Sequence, residues 1–174
     1  MRFQDIPQFP QSNYMVDVPW KSLENTLALL GEGTVLELNP VFQRGHVWTE
    51  AQQVAWLEYQ LRGGPSGKDI YFNCPTWQGR ERKQAPVVLV DGLQRITALQ
   101  RFLRDELRVF CHVFSEYTDN LRMTQHTLKF HVASLATEAE VLRWYLGFNA
   151  GGTPHTPAEI TRVQALLDVA EAKK

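Results

Sequence analysis

One segment of the chain joins the pattern of a buried strand to the pattern of an amphipathic helix. Residues 87–90 are four consecutive apolar residues, three of them valine, which predicts a buried β-strand. Asp91-Gly92 predicts a tight corner, and apolar residues then recur at helical spacing from Leu93 to Leu103. The chain is therefore expected to lead a strand directly into a helix.

Three polar side chains stand at this junction, namely those of Asp91, Gln94 and Arg95. The free backbone N–H groups of a first helical turn attract anions. Arg95 opposes the helix dipole there, at a cost of roughly 0.3–1 kcal/mol. Two interpretations follow: an anionic ligand lies between Arg95 and these N–H groups, or Arg95 pairs with a structural carboxylate.

A second polar cluster precedes another helix. Thr49 and Gln52 fit a capping box, and the helix is predicted to run to about Arg62. Gln43 and Arg44 lie in the loop before it, which places a second guanidinium near a second helix N-terminus.

A third cluster, residues 148–156, joins two helices predicted near the C-terminus. They begin after Thr137 and Thr156, each of which has a glutamate three residues later. Adjacent glycines allow either a close approach of the backbone to a ligand or a tight reversal between helices, and the reversal is the simpler reading. The candidate binding residues of this cluster are Asn149, Gly151, Gly152 and Thr153.

In this order the three clusters resemble motifs of the ParB/sulfiredoxin superfamily, and most closely the N-terminal domain of GmrSD-type modification-dependent restriction proteins. That family has a Q-R-x-x-x-W segment, a D-G-Q-Q-R motif that opens a helix, and an N-x-G-G turn. The corresponding segments here are Gln43-Arg44 to Trp48, Asp91 to Arg95, and Asn149 to Thr153. The resemblance spans residues 14–165, and it departs from the family at Leu93, where relatives carry glutamine.

The expected fold class is α+β, a ParB/sulfiredoxin-like small mixed sheet flanked by helices, with a C-terminal helical pair. A chain of 174 residues is expected to form one domain, here 14–174 after a loose arm at 1–13. Further strands are predicted at 14–18, 69–73, 107–114 and 128–132, and a helix at 22–30 closed by Gly31.

Charge and composition limit the function classes. A net charge of −1 excludes a strongly basic, non-specific DNA binder, whereas residues 80–108 carry seven cations and four anions and predict a local basic face. No apolar run approaches the roughly 20 residues that cross a bilayer, and the N-terminus lacks a signal-peptide pattern, so a cytoplasmic protein without a membrane partner is expected. Cys74 and Cys111 lack metal-ligand spacing and are expected to be reduced thiols.

The clusters suit phosphate chemistry. Arg44 and Arg95 each offer a fork to phosphate oxygens, and two helix starts add N–H donors, which together can neutralise a triphosphate. Asp91 suits Mg²⁺, which binds through one or two carboxylates plus substrate phosphates. The predicted catalytic residues are Arg44, Asp91 and Arg95. The predicted residues for binding ATP, GTP or CTP are Gln43, Arg44, Gly92, Gln94, Arg95, Asn149, Gly151, Gly152 and Thr153.

The resemblance points the same way, because its relatives bind or hydrolyse nucleotides, transfer phosphate, or act on modified DNA in phage–host conflict. Magnesium-dependent NTP hydrolysis or phosphoryl transfer, kinase-like and linked to DNA modification, is the leading hypothesis. A non-catalytic module that senses a nucleotide or modified DNA is the second. A DNA nuclease is the third, disfavoured because the separate nuclease domain of relatives does not fit in 174 residues. The expected partners are a nucleotide, DNA on the basic face, and either a second copy or a separate effector protein.

Overall fold

The structure is a computed structural model that describes residues 12–77, 85–122, 124–148 and 156–172. Its strands are β1 (Tyr14–Pro19), β2 (Leu36–Glu37), β3 (Asp69–Asn73), β4 (Val87–Asp91) and β5 (Thr127–Ala133). Its helices are α1 (Leu23–Gly31), α2 (Glu50–Leu61), α3 (Leu93–Leu103), α4 (Glu138–Gly147) and α5 (Pro157–Ala172). Two short 3-10 helices cover Trp20–Ser22 and Phe114–Glu116.

The strands form one mixed sheet in the order β1-β5-β3-β4-β2. The pairs β1–β5 and β3–β4 are antiparallel, whereas β3–β5 and β2–β4 are parallel. The predicted α+β class is therefore confirmed, together with four of the predicted strands. The two-residue β2 was not predicted, because two paired residues leave no periodic pattern in a sequence.

The sheet has a hydrophobic core on each face, and β4 contributes to both. Leu89 packs into a core with Leu57 and Ile96 from α2 and α3, while Val90 packs into a second core with Leu142 from α4. Successive strand residues point to opposite faces, so a strand covered on both sides is apolar at every position. This explains the continuous apolar run at 87–90.

The N-terminal capping residues predicted for three helices are confirmed. Capping boxes are present at Thr49 for α2 and at Thr137 for α4, and the Thr156 N–H donates to Glu159 at 2.6 Å at the start of α5. The predicted end of the first helix is shifted, because Gly31 is the last helical residue and the left-handed turn falls at Gly33 (φ 75°).

The predicted strand at 107–114 is wrong. Only Val109 and His112 pair, because Phe110 and Cys111 both adopt left-handed backbone conformations (φ 48° and 66°) and reverse the chain between them. Buried Leu107 and Val109 alternate with exposed residues, which imitates a strand in the sequence.

The predicted N-terminal arm is described only at Ser12 and Asn13. The Asn13 N–H donates to the Val132 carbonyl at 2.8 Å, which extends the β1–β5 pairing.

Both cysteines are free thiols. Cys74 is buried and Cys111 is exposed. Within the described ranges, none of the helices has both the length and the apolarity that a bilayer crossing requires.

Candidate functional site

The corner between β4 and α3 depends on Gly92. This residue caps α3 with a left-handed backbone (φ 117°). A Cβ at this position would lie 2.5 Å from Cδ1 and 3.3 Å from Cα of Ile70 on β3. Real Cβ atoms do not approach other atoms as closely as 2.5 Å, so only glycine lets the chain turn this near the neighbouring strand.

Arg95 connects the ends of two strands. Its Nη2 donates to Asp91 Oδ2 at 2.6 Å, and its Nη1 donates to the Asp69 carbonyl at the start of β3. The guanidinium side chain is 19% exposed and that of Asp91 is 33% exposed. Of the two interpretations of Arg95, the structure therefore contains the pairing with a carboxylate.

Gln94 fixes the loop before α2. Its Oε1 accepts hydrogen bonds from the N–H groups of Val47 and Trp48 at 2.9 and 3.0 Å. Its Nε2 donates to the Gly45 carbonyl at 2.8 Å. Three bonds to one short segment make this side chain an anchor for the loop, and they occupy the amide that was predicted to contact a nucleotide.

Gln43 is a second anchor for the same loop. Its buried side-chain Nε2 donates to the Leu89 backbone carbonyl on β4 at 2.8 Å. The backbone carbonyl of Gln43 accepts a hydrogen bond from Arg162 Nη2, also at 2.8 Å. The following residue, Arg44, lies 3.9 Å from Glu159 on α5. The loop is thus held between β4 and α5, and this arrangement sets the position of Arg44.

Two tyrosines carry the electrostatic influence of the predicted catalytic residues. Burial raises the pKa of the Tyr145 hydroxyl on α4; Arg44 lowers this pKa and Asp91 raises it. Burial also raises the pKa of Tyr71 on β3, as do Asp69 and Asp91, whereas Arg95 lowers it. Tyr71 lies opposite Asp91 in the register of β3 and β4. We call Arg44, Tyr71, Asp91, Arg95 and Tyr145 the motif cluster.

A polar chain beside the motif cluster was missed in the sequence. His131 Nε2 lies 2.7 Å from Asp69 Oδ1, and His131 Nδ1 lies 3.3 Å from Ser12 Oγ. The His131 ring stacks on Tyr71 with the ring centroids 4.4 Å apart. The strand pattern places Asp69 and Tyr71 on one face of β3, but only the parallel register of β3 and β5 brings His131 beside them.

The third motif begins next to the same aromatic residues. Phe148 lies 4.5 Å from Tyr71 between ring centroids, and Trp144 packs edge-on against Tyr71 at 5.8 Å. The predicted binding residues that follow Phe148 lie outside the described residues. These residues are Asn149, Gly151, Gly152 and Thr153. The predicted helical pair is confirmed, since α4 and α5, which precede and follow this segment in the sequence, pack against each other.

Charges of both signs surround the motif cluster. Among the described residues they include three cations (Arg44, Arg95, Arg162) and three carboxylates (Asp69, Asp91, Glu159). Across the described ranges, no group of three or more His, Cys, Asp and Glu side chains is arranged to hold a metal ion. The Asp91 carboxylate is partly exposed, and one of its two oxygens is bonded to Arg95.

The predicted basic face at 80–108 is only partly described. Residues 80–83, which hold three of its cations, lie outside the described residues. The four described cations are all paired with carboxylates, so they do not present unpaired charge to DNA. They are Arg95, Arg101, Arg104 and Arg108.

Comparisons of this chain with protein-family models, with curated proteins and with solved structures found no match.

Proposed function

We propose that this chain is a nucleoside-triphosphate-binding domain with a ParB/sulfiredoxin-like fold, of the kind found at the N-terminus of GmrSD-type proteins. The observation that supports the proposal is that Arg44, from one motif, and the Asp91–Arg95 pair, from another, act on neighbouring tyrosines. Asp91 influences the pKa of Tyr145 together with Arg44 and the pKa of Tyr71 together with Arg95.

Both arginines suit phosphate oxygens. Arg44 lies 3.9 Å from Glu159, and phosphate oxygens offer a guanidinium two parallel hydrogen bonds. The first turn of α3 adds backbone N–H groups beside Arg95, with no side chain on Gly92 to cap them. We expect the phosphates to lie between Arg44 and the start of α3.

Asp91 is the residue that would hold Mg²⁺, together with the phosphates. The ion would neutralise charge on the transferring phosphoryl group. Arg95 keeps the Asp91 carboxylate in place through the 2.6 Å bond, and it gains a phosphate partner when the nucleotide binds. Positioning and charge neutralisation are most of what phosphoryl transfer requires.

The proposed reaction is NTP hydrolysis or phosphoryl transfer linked to DNA modification or phage–host conflict. The attacking oxygen bonds to the γ-phosphorus, and the bond to the β–γ bridging oxygen breaks to release a nucleoside diphosphate. Water and a hydroxyl on DNA, such as that of a hydroxymethylated base, are the proposed acceptors. The proposal places the protein in the cytoplasm, with DNA and either a second copy or an effector protein as partners.

A non-catalytic module that senses a nucleotide or modified DNA is the second candidate. It is favoured by the Asp91–Arg95 pair, which commits the only carboxylate of the motif cluster to a structural bond. It is also favoured by Gln43 and Gln94, whose amides hold protein backbone.

One set of assays separates the two candidates. Wild-type protein with Mg²⁺ is incubated with each of the four NTPs, with and without plain or hydroxymethylated DNA, while phosphate release and label transfer to DNA are measured. Arg143→Ala, an exposed arginine on α4 paired with Glu171, is a matched control for Arg44→Ala. Turnover that Arg44→Ala abolishes supports the enzyme. Binding without turnover supports the sensor, and absence of NTP binding overturns both.

A further inference from the structure

A pocket with an aromatic lining lies away from the motif cluster. Its volume is about 280 Å³, and it lies among the ends of α2 and α3, the 3-10 helix at 114–116 and the segment 117–122. Four aromatic side chains line it, and we call it the aromatic pocket. They are Phe102, Phe110, Phe114 and Tyr117.

A larger pocket of about 620 Å³ adjoins the aromatic pocket, and the two share Leu61, Arg122 and His126 as lining residues. Arg62 and Lys68 also line the larger pocket, which we call the cationic pocket. Its described lining contains no carboxylate. A planar group bound in the aromatic pocket would therefore lie next to the cationic pocket, which favours negatively charged groups.

The cations of this site differ from most arginines of the chain. Six described arginines lie within 4.0 Å of a carboxylate: Arg44, Arg95, Arg101, Arg104, Arg108 and Arg143. Among the described residues, Arg62, Lys68 and Arg122 have no such partner. Lys68 and Arg122 donate instead to neutral oxygens of Gln125, and Arg62 lies over the Phe110 ring at 5.1 Å.

Another cation stands at the rim of the aromatic pocket. Lys21 Nζ donates to Asn120 Oδ1 at 2.9 Å and lies 5.9 Å from the centroid of Phe114. Asp119 is the one carboxylate in the described lining. Burial raises the pKa of Tyr117, and so do the nearby Glu58 and Glu116. The positive charge is therefore concentrated at the cationic pocket, whose described lining holds Arg62, Lys68 and Arg122.

The backbone at the mouth of the aromatic pocket is strained. A left-handed conformation is uncommon for a bulky side chain, yet Phe110 (φ 48°) and Cys111 (φ 66°) both adopt it. Glu58 Oε1 accepts from the Phe110 N–H at 3.3 Å, and the Tyr117 hydroxyl donates to the Val109 carbonyl at 2.6 Å. These bonds hold Phe110 36% exposed beside the cations. Such strain is often kept where it positions a functional side chain.

We infer that the joined pockets bind a single-stranded nucleic acid, with one base in the aromatic pocket and the adjoining phosphates on Arg62, Lys68 and Arg122. Aromatic faces stack on any base, and a row of cations follows the phosphates; this combination is the usual one for single strands. In a duplex the bases are stacked and paired, so they cannot enter the pocket. The inference is independent of the proposed NTP site, because the two share no residue.

The test measures binding of a labelled twelve-residue oligothymidylate by fluorescence anisotropy in low salt. The double variant Arg62→Gln/Arg122→Gln is expected to bind at least about tenfold more weakly, with a shallower dependence on salt. The control variant Arg104→Gln/Arg143→Gln removes the same charge from two exposed, ion-paired arginines and is expected to stay within about twofold of wild type.

Two further arms test the base and the site. Phe110→Ala is expected to weaken binding about fivefold or more through lost stacking, and circular dichroism checks that each variant is folded. Lys129→Gln removes an exposed cation of β5 that lines neither pocket, and it is expected to leave oligothymidylate binding within about twofold of wild type. The inference is overturned if wild type does not bind the oligomer or if the double variant binds like wild type. It is also overturned if duplex DNA or inorganic polyphosphate binds equally well while Phe110→Ala has no effect.

Discussion

The carboxylate of Asp91 and the guanidinium of Arg95 are joined by a hydrogen bond of 2.6 Å across the corner between β4 and α3. The pair is local, since only three residues lie between its members, and it closes the corner at which Gly92 reverses the backbone. In this pair Asp91 neutralises the positive charge of Arg95, which lies in the first turn of α3. A phosphate group bound at this turn has to share the Arg95 guanidinium with Asp91. A substitution of either residue therefore tests the role of the other.

Asp91→Asn is expected to keep nucleotide affinity and lose turnover. The amide retains the shape of the carboxylate but loses the charge that holds a metal ion, and that charge acts mainly in the transition state. Arg95 is released from its ion pair and becomes more available to phosphate. Calorimetric titration and phosphate release on the same sample check both parts. A parallel loss of affinity and turnover would contradict the assignment.

Gly92→Ala is expected to destabilise the protein by about 2–4 kcal/mol, because it adds backbone strain to a clash with Ile70. Gly63→Ala is a matched control. Gly63 also has a positive φ (83°), but a Cβ there meets no atom within 4 Å, so the expected loss is only about 1 kcal/mol. Urea denaturation measures both variants, and equal losses would show that the approach to β3 does not require glycine.

Gln94→Ala is expected to loosen the loop at 45–48 and cost about 1–3 kcal/mol, since three partly exposed hydrogen bonds are lost. Hydrogen exchange at the Val47 and Trp48 amides is expected to accelerate. Gln100→Ala is the control on the same helix, because within the described part of the chain the Gln100 side chain makes only long contacts, of 3.4 Å, with Glu24. Unchanged exchange at Val47 and Trp48 would show that Gln94 does not anchor the loop.

Stability is expected to fall with acidification, and His126 is expected to contribute. Burial lowers the pKa of His126 below 6.5, and the nearby Lys68 and Arg122 lower it further. His126 therefore binds a proton more readily in the unfolded chain than in the folded one. The stability that neutral His126 contributes to the folded state is lost as the pH falls below about 6.5. Protonation of Nδ1 also breaks its hydrogen bond from the Arg122 N–H.

Urea denaturation between pH 7.5 and 5.5 checks the role of His126. His126→Gln is expected to show a smaller loss of stability across this range than wild type. An identical pH dependence of the two proteins would exclude His126 as a contributor.

The parts of the fold that depend on neighbouring residues could be predicted from the sequence. The strand at 87–90, the corner after Asp91 and the helix at 93–103 rest on local periodicity and turn chemistry, and the structure contains all three. Capping boxes are equally local, since three residues separate the bonded partners. The failure at 107–114 has the same origin, because local alternation could not show that Phe110 and Cys111 adopt turn conformations.

The site could be predicted only in part. The motifs predicted Arg44, Asp91 and Arg95 as site residues; in the structure Asp91 influences the pKa of Tyr145 together with Arg44 and the pKa of Tyr71 together with Arg95. The sequence could not show that Gln43 and Gln94 bond to backbone far along the chain. Nor could it place His131 beside Asp69 and Tyr71, because that contact depends on the register of β3 and β5.

Calorimetric titration of an NTP in the presence of Mg²⁺ into wild type and Arg95→Ala tests the central claim most directly. Charge-assisted contacts contribute about 1.5–3 kcal/mol each, so the variant is expected to bind at least about tenfold more weakly. Arg143→Ala is the control, and thermal denaturation checks that Arg95→Ala remains folded after it loses its bonds to Asp91 and Asp69. Equal affinity of wild type and folded Arg95→Ala would contradict a nucleotide site at the motif cluster.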